Sequence, residues 1–376
     1  MQIIIIFFLN PDSFFSKKII SSQLRYSTAI TTAFMFKNRL TCIVFLISAA
    51  SFGQIGGKSV YQFLSLITSP RQSALGGKIL TLYDYDVNQA FFNPATINPA
   101  MDNRLSMNYG SLFGEVTYGT AAYAYTYDRH VQTFHGGINY VNYGTFQGTD
   151  ENGNRTADFT GSEIALSFGY AYNIPYSDFY VGANAKLISS TLETYNSFGA
   201  AADLGALYID EDNDVNWAFV IRNIGTQITT YAGTREKLPL EVMFGVSQEM
   251  ENVPIRWHVT LENLQQWQIA FSNPARAEGS IDGGSTPEKI SIFNNALRHV
   301  ILGAELFPKK GFNLRVGYNF RRAEELRLLE QRNFSGISVG FGLKINKLKF
   351  DYSYSRYTLA ANTSLFGLTI NFGDED

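Results

Sequence analysis

The chain is short of cysteine, proline, histidine and charge. A single cysteine, Cys42, stands among 376 residues, so no intramolecular disulfide can form. The 10 prolines are about half the usual share, and charged residues, at 17%, fall well below the usual quarter. Four histidines, His130, His135, His258 and His299, leave little material for acid–base catalysis or a metal centre. The sequence contains no His-Glu-x-x-His, no Gly-x-Ser-x-Gly and no phosphate loop. Beyond residue 54 there is no uncharged apolar run of roughly 18 residues, which excludes a membrane-spanning helix there.

Aromatics are what the chain has in excess: 22 Tyr and 30 Phe bring them to 15%. That content excludes disorder, collagen, a coiled coil and a disulfide-stapled miniprotein. The mean hydropathy of −0.08 is too polar for a helical membrane protein. One membrane class has average hydropathy, because lipid-facing and lumen-facing residues alternate and cancel. It is the outer-membrane β-barrel.

The run Met35 to Gln54 has a basic start (Lys37, Arg39), an apolar middle (Ile43 to Ile47) and small residues up to Gly53. Those are the parts of a secretory signal peptide, so residues 35–53 are expected to be removed and Met35 to be the true start. Residues 1–34 then read as an upstream extension; the apolar Ile3 to Leu9 stretch is too short to span a bilayer. Cys42 leaves with the signal. Five basic residues and one acid also leave, which moves the net charge from −3 to −7 and argues against nucleic acid as a partner.

Period-2 alternation then recurs along the chain. Ile164, Leu166, Phe168, Tyr170 and Tyr172 alternate with small or polar residues, as do Ile337 to Ile345 and Leu348 to Tyr354. Side chains two apart share a sheet face, so each segment has one greasy flank. Fourteen strands are expected, near 104–111, 114–127, 131–145, 158–174, 178–191, 195–209, 215–223, 238–249, 254–264, 297–307, 311–321, 333–345, 347–357 and 362–372. Connections after the even-numbered strands are tight, among them Asp128-Arg129-His130, Pro175-Tyr176-Ser177 and Pro308-Lys309-Lys310. Those after strands 3, 7, 9 and 11 are long, the longest being Gln265 to Ala296. Short periplasmic turns and long external loops mark a transmembrane barrel, here all-β, antiparallel and 14-stranded over 104–372, with a short tail, 373–376. The last strand points Phe366, Leu368, Ile370 and Phe372 outward.

Residues 54–103 do not read as strands. Gly56-Gly57, Gly76-Gly77 and the repeated Asn93-Pro94-Ala95 and Asn98-Pro99-Ala100 are turn chemistry. Val60, Phe63, Leu64, Leu66, Leu75, Leu80, Leu82, Phe91 and Phe92 are too apolar for a disordered segment. A plug, or hatch, inside the lumen fits best. Asn before Pro sets a rigid bend, and Asn93 and Asn98 are expected to fix the hatch through backbone hydrogen bonds.

This segment carries a resemblance. Tyr61-Gln62-Phe63-Leu64-Ser65-Leu66, Ser69-Pro70-Arg71-Gln72-Ser73-Ala74-Leu75-Gly76-Gly77, Asp86 and the two Asn-Pro units resemble the start of the PorQ family. Gly317-Tyr318-Asn319-Phe320-Arg321-Arg322 with Glu325-Leu326, and Phe334-Ser335-Gly336 leading to Gly340-Phe341-Gly342-Leu343-Lys344, extend the similarity over essentially all of 54–372. Pro70 stands where that pattern has Ala, which counts against a local helix. The Asn-Pro-Ala unit is also similar to the wider FadL-like barrels, where it belongs to the amino-terminal hatch. The resemblance implies a non-enzymatic outer-membrane component of the type IX secretion system of Bacteroidetes. In that scheme it docks PorZ and works with PorU and PorV, which join secreted cargo to lipopolysaccharide. The alternative is a FadL-like importer of hydrophobic small molecules, since fold does not fix function.

Parity nominates site residues. On strand 311–321, Phe312, Leu314, Val316, Tyr318 and Phe320 face lipid, so Asn313, Arg315, Asn319 and Arg321 face the lumen; Arg322 is expected at the outer rim. Glu305 faces in from the preceding strand and is expected diagonal to Arg315. Arg321 is expected to clamp Asp84 or Asp86 of the hatch. His135 and His299 fall on inward positions and are the histidines weighed for catalysis; the reading is no catalytic residue, no metal and no cofactor. Trp267, Leu326, Leu328 and Leu329 on the long loops are the candidate docking anchors, and Trp257 is expected in an aromatic girdle.

Overall fold

The computed structural model describes residues 59–112, 115–128, 132–270, 278–279, 285–286, 290–325, 335–356 and 362–373. The expected extension over 1–34 and signal peptide over 35–53 lie outside the described residues.

Fourteen strands close on themselves. They are β1 (Arg104–Ser111), β2 (Thr117–Asp128), β3 (Gln132–Phe146), β4 (Phe159–Asn173), β5 (Phe179–Leu192), β6 (Tyr195–Asp210) and β7 (Val215–Thr229). They continue as β8 (Glu241–Glu249), β9 (Ile255–Leu261), β10 (Val300–Leu306), β11 (Phe312–Asn319), β12 (Ile337–Ile345), β13 (Leu348–Arg356) and β14 (Asn362–Asn371). Each pairs antiparallel with its neighbours, and β1 pairs with β14 from Arg104↔Asn371 to Ser111↔Ser364, which leaves the barrel no free edge. A two-stranded ribbon, Glu278–Gly279 with Ser285–Thr286, lies in the β9–β10 connection.

The exterior is what makes this a transmembrane wall. On β4, Ser167 is fully buried while Phe168 beside it is 61% exposed. The same alternation exposes Leu187, Leu204, Phe219, Leu314, Val339 and Leu368 around the barrel. A continuous apolar belt of this kind is tolerable in hydrocarbon and not in water. Aromatics collect toward both strand ends, with Tyr109, Tyr195 and the stacked Phe146–Phe159 pair at one and Tyr125, Tyr127 and the Phe179–Tyr208 pair at the other. Among the described residues no helix is long and apolar enough to cross a membrane.

All connections after even-numbered strands are short. Those after β3, β7, β9 and β11 are long, whereas β5 and β6 are joined at the same end by residues 193–194 alone, with Glu193 at φ 57°. Strand β7 runs past its expected end at 223 to Thr229. Asn223 adopts φ 60° and the β6–β7 register shifts between Ala202 and Leu204, so a bulge breaks the alternation without ending the strand.

The lumen is filled by residues 59–103. A bridge pairs Ser59 with Lys237 near the long-loop end. There Val60, Tyr61, Phe63 and Leu64 pack against Tyr118, Val141, Ile188 and Leu365. Helix α1 (Pro70–Ala74) follows; Pro70 takes its first position, where a missing N–H costs nothing, so the proline starts the helix rather than preventing it. Leu80, Val87, Phe91, Phe92 and Met101 then pack against Ala122, Leu207, Val220 and Met243 before the chain enters β1.

Candidate functional site

The hatch meets the wall in two ways, through charge and through bare backbone. Arg71, on α1, is 3% exposed. Its Nε and one terminal nitrogen donate to the two Glu305 carboxylate oxygens of β10 at 3.1 and 2.8 Å. Its other terminal nitrogen lies 2.8 Å from Asp84 and 3.6 Å from Asp86, both in the hatch. Glu305 also accepts from Arg315 of β11 at 2.8 Å, and Arg315 reaches Asp351 of β13 at 2.6 Å. Lys349 and Arg256 complete the cluster, 3.4 Å from Asp351 and 3.8 Å from Asp84. Four cations thus interleave with four carboxylates, the arrangement that buried charge requires. Asp84 lies in the hatch outside the strands. Burial opposes its charging, but the Arg71 and Arg256 guanidiniums outweigh burial and hold its carboxyl below the ordinary range.

A second cluster lies on β5–β8. Lys186 sits 2.6 Å from Asp203 and donates to Asn223 at 3.0 Å; Arg222 pairs with Glu241 at 2.8 Å and donates to the Leu64 carbonyl at 3.1 Å. Lys78 of the hatch also pairs with Glu241.

On the same strands the hatch rests on wall glycines. A Cβ on Gly317 would collide with the backbone of Leu75 and Gly76, and one on Gly182 with the backbone of Pro94 and Ala95. The two Asn-Pro units are built alike. Asn93 Oδ1 accepts from Ala95 N at 3.0 Å and its Nδ2 donates to the Leu80 carbonyl at 2.8 Å. Asn98 Oδ1 accepts from Ala100 N at 2.8 Å and its Nδ2 donates to the Asp84 and Thr96 carbonyls at 2.9 and 2.8 Å. In both, Asn caps a 3-10 turn whose first residue, Pro94 or Pro99, needs no donor.

Several expectations are corrected here. Glu305 and Arg315 are direct cross-strand partners, not diagonal ones. Arg321 does not reach the hatch acids: β11 ends at Asn319, and the short helix α2 (Phe320–Glu325) turns Arg321 onto Glu325 at 3.0 Å. The same helix brings Arg322 inward, 9% exposed, donating to Ser338 at 3.2 Å and to the Gly76 carbonyl at 3.3 Å, so it is no rim residue. Strand parity stops where the strand stops. Arg71 holds the place expected for Arg321. Its signal in the sequence is a lone arginine in a mostly apolar hatch, facing a lone glutamate on an otherwise apolar strand. Asn319 is buried and accepts from Arg322 N at 2.9 Å.

His135 is buried edge-on against Phe91, with ring centroids 5.2 Å apart. His299 lies between two main-chain carbonyls, Glu262 at 2.7 Å and Trp267 at 3.0 Å, and stacks on the Trp267 ring. The two His299 ring nitrogens are thus taken up by main-chain carbonyls, and the His135 ring is held by packing. Among the described residues no group of three metal-binding side chains converges. Trp267 is 60% exposed beyond β9. Trp257 is half-buried on β9 beside Ala304, near the short turns rather than on a long loop. Leu326, Leu328 and Leu329 lie outside the described residues.

No family model matches the chain, and no curated protein matches it. Solved structures with a similar fold include a Pseudomonas aeruginosa FadL homologue, 12% identical over 81% of this chain and 98% of that one, with a TM-score of 0.47. KdgM porin is 8% identical over 72% of this chain and 99% of its own, with a TM-score of 0.32. CdiB from Acinetobacter baumannii is 8% identical over 71% and 59%, also at 0.32. The barrel assignment rests on the closed strand order and not on these likenesses.

Proposed function

We propose that this chain is a non-enzymatic outer-membrane barrel that serves as an anchor for partner proteins at the cell surface, with the short turns in the periplasm and the long loops outside. The observation that carries this reading is how the hatch is seated. Buried ion pairs join it to β8 and β10, and its backbone lies directly on wall glycines. An importer needs an apolar path between hatch and wall or a hatch that yields. A scaffold needs neither, and benefits from a rigid wall that holds its loops in place.

The similarity to the PorQ family supports naming the partners: PorZ by direct contact, with PorU and PorV, in the type IX secretion complex that attaches cargo to lipopolysaccharide. Trp267, exposed on the β9–β10 connection, is a described residue placed to anchor a partner. Affinity purification from outer membranes tests the reading. Co-isolation of PorZ, PorU and PorV supports it. Their absence, together with lost uptake of hydrophobic small molecules in a deletion strain that still retains its secreted proteins at the surface, turns the case to the FadL-like importer.

A further inference from the structure

The lipid-facing wall is not evenly covered. Across β1 to β4 the outward residues form rows set by the strand register. One row runs Leu105, Tyr123, Gly136, Phe168; the next runs Met107, Ala121, Ile138, Leu166. Each row has one small residue, and the two, Gly136 and Ala121, are diagonal neighbours. Between the larger side chains this leaves a wholly apolar trough of about 360 Å³. A Cβ on Gly136 would meet no atom within 4 Å, so the trough is open at its floor.

Its depth in the membrane follows from the strand. Beyond Ala121 and Tyr123, the next outward positions of β2 toward the short turns are Tyr125 and Tyr127, 50% and 78% exposed. From Ala121 to Tyr127 the strand advances about 20 Å, or roughly 15 Å along the membrane normal at a tilt of about 40°, which is half the hydrocarbon thickness. The trough therefore runs from mid-bilayer toward the short-turn interface, where the two tyrosines present their hydroxyls.

We propose that this trough is a binding site for one acyl chain of a phospholipid in the inner leaflet, with the ester region of that lipid at the level of Tyr125 and Tyr127. The proposal rests on the reading that the short turns face the periplasm. The acyl chains of lipopolysaccharide belong to the opposite leaflet. A chain lying here fills a concavity that loosely ordered lipid leaves poorly packed, and the gain is dispersion contact with Ile138, Leu166 and Phe168.

The test is native mass spectrometry of the barrel extracted from outer membranes in mild detergent, counting retained phospholipid. The wild-type chain should keep one phospholipid. Gly136→Leu extends a side chain into the trough from an open Cβ position and should lose it, whereas Val246→Leu, on β8 five strands away, should keep it. Retention by Gly136→Leu equal to wild type, or none in the wild type, overturns the proposal. A second measurement needs no variant: phosphatidylethanolamine carrying a mid-chain diazirine should label Ala121, Tyr123, Ile138, Leu166 and Phe168, and labelling spread evenly around the wall overturns the site. Fractionation of the same cells reads the membrane assignment separately, and recovery outside the outer membrane overturns the leaflet assignment whatever the lipid count.

Discussion

Arg71 and Glu305 are 234 residues apart in sequence and meet through two parallel hydrogen bonds, one side chain carried by the hatch and the other by the wall. Because the pair is bidentate and withdrawn from water, it is held far more firmly than a surface ion pair. Replacing Glu305 by Gln keeps the shape but leaves Arg71, Arg256 and Arg315 facing a neutral amide. The expected cost is about 3–5 kcal/mol, the range for removing one partner of a buried pair. Urea unfolding from lipid vesicles would read it, and a cycle with Arg71→Met should return a non-zero coupling between the two sites. Independent, additive effects would show that the pair does not fasten the hatch.

The same cluster sets how the hatch responds to acid. The carboxyl of Asp84 is held below its ordinary range in the folded chain, so folding favours the ionised form. That contribution is complete above the unfolded value of about 3.9 and is lost as pH falls through the lower folded value. Protection of the amides of residues 69–91 against hydrogen exchange, taken relative to the intrinsic rate at each pH, should therefore be the same at about pH 5 as at neutrality and fall only below about pH 4. Asp84→Asn should remove that acid limb. Loosening that begins near neutrality would assign the control to another group.

How far the sequence discloses this molecule depends on periodicity. The strands are legible because a wall between lipid and lumen imposes a strict period of two, and a slip of one residue would put Arg315 or Lys186 into hydrocarbon. The hatch is legible as a class but not in its contacts, since its short 3-10 turns carry no period from which a face can be read. Arg71 therefore passes unnoticed until the fold sets it opposite Glu305. Arg321 and Arg322 mislead for a related reason. Strand parity fails over residues that form a helix, where neighbours differ by about 100° rather than 180°. Strand β7 continues beyond Asn223 because a bulge resets its alternation, which a single sequence does not mark.

The two Asn-Pro units make a separate prediction. Asn93→Ala leaves the Leu80 carbonyl without its donor, and Asn98→Ala does the same to the Asp84 and Thr96 carbonyls. An orphaned buried group costs about 1–3 kcal/mol. Each variant should still close its barrel, since no strand hydrogen bond is lost, but protease should reach the hatch sooner and single-channel recordings should show brief openings. Unchanged protease resistance and conductance in both variants would leave these asparagines as ordinary turn residues.

Gly317 separates a seated hatch from a loosely inserted one. Its inward side faces the Leu75–Gly76 backbone with no room for a methyl group, and main chain cannot rotate away as a side chain can. Gly317→Ala should therefore displace the α1 segment and weaken its neighbours Arg71–Glu305 and Arg322–Gly76, opening a conductance and exposing the hatch to protease while the wall stays closed. Gly136→Ala, on the lipid side of β3 with open space at its Cβ, should leave both properties unchanged. The contrast matters more than either result alone. Both substitutions add one methyl group to a strand glycine, and only the one directed at the hatch meets backbone. Equal behaviour of the two variants would mean that the hatch shifts freely in the lumen, and the anchor reading would lose its physical basis to the importer.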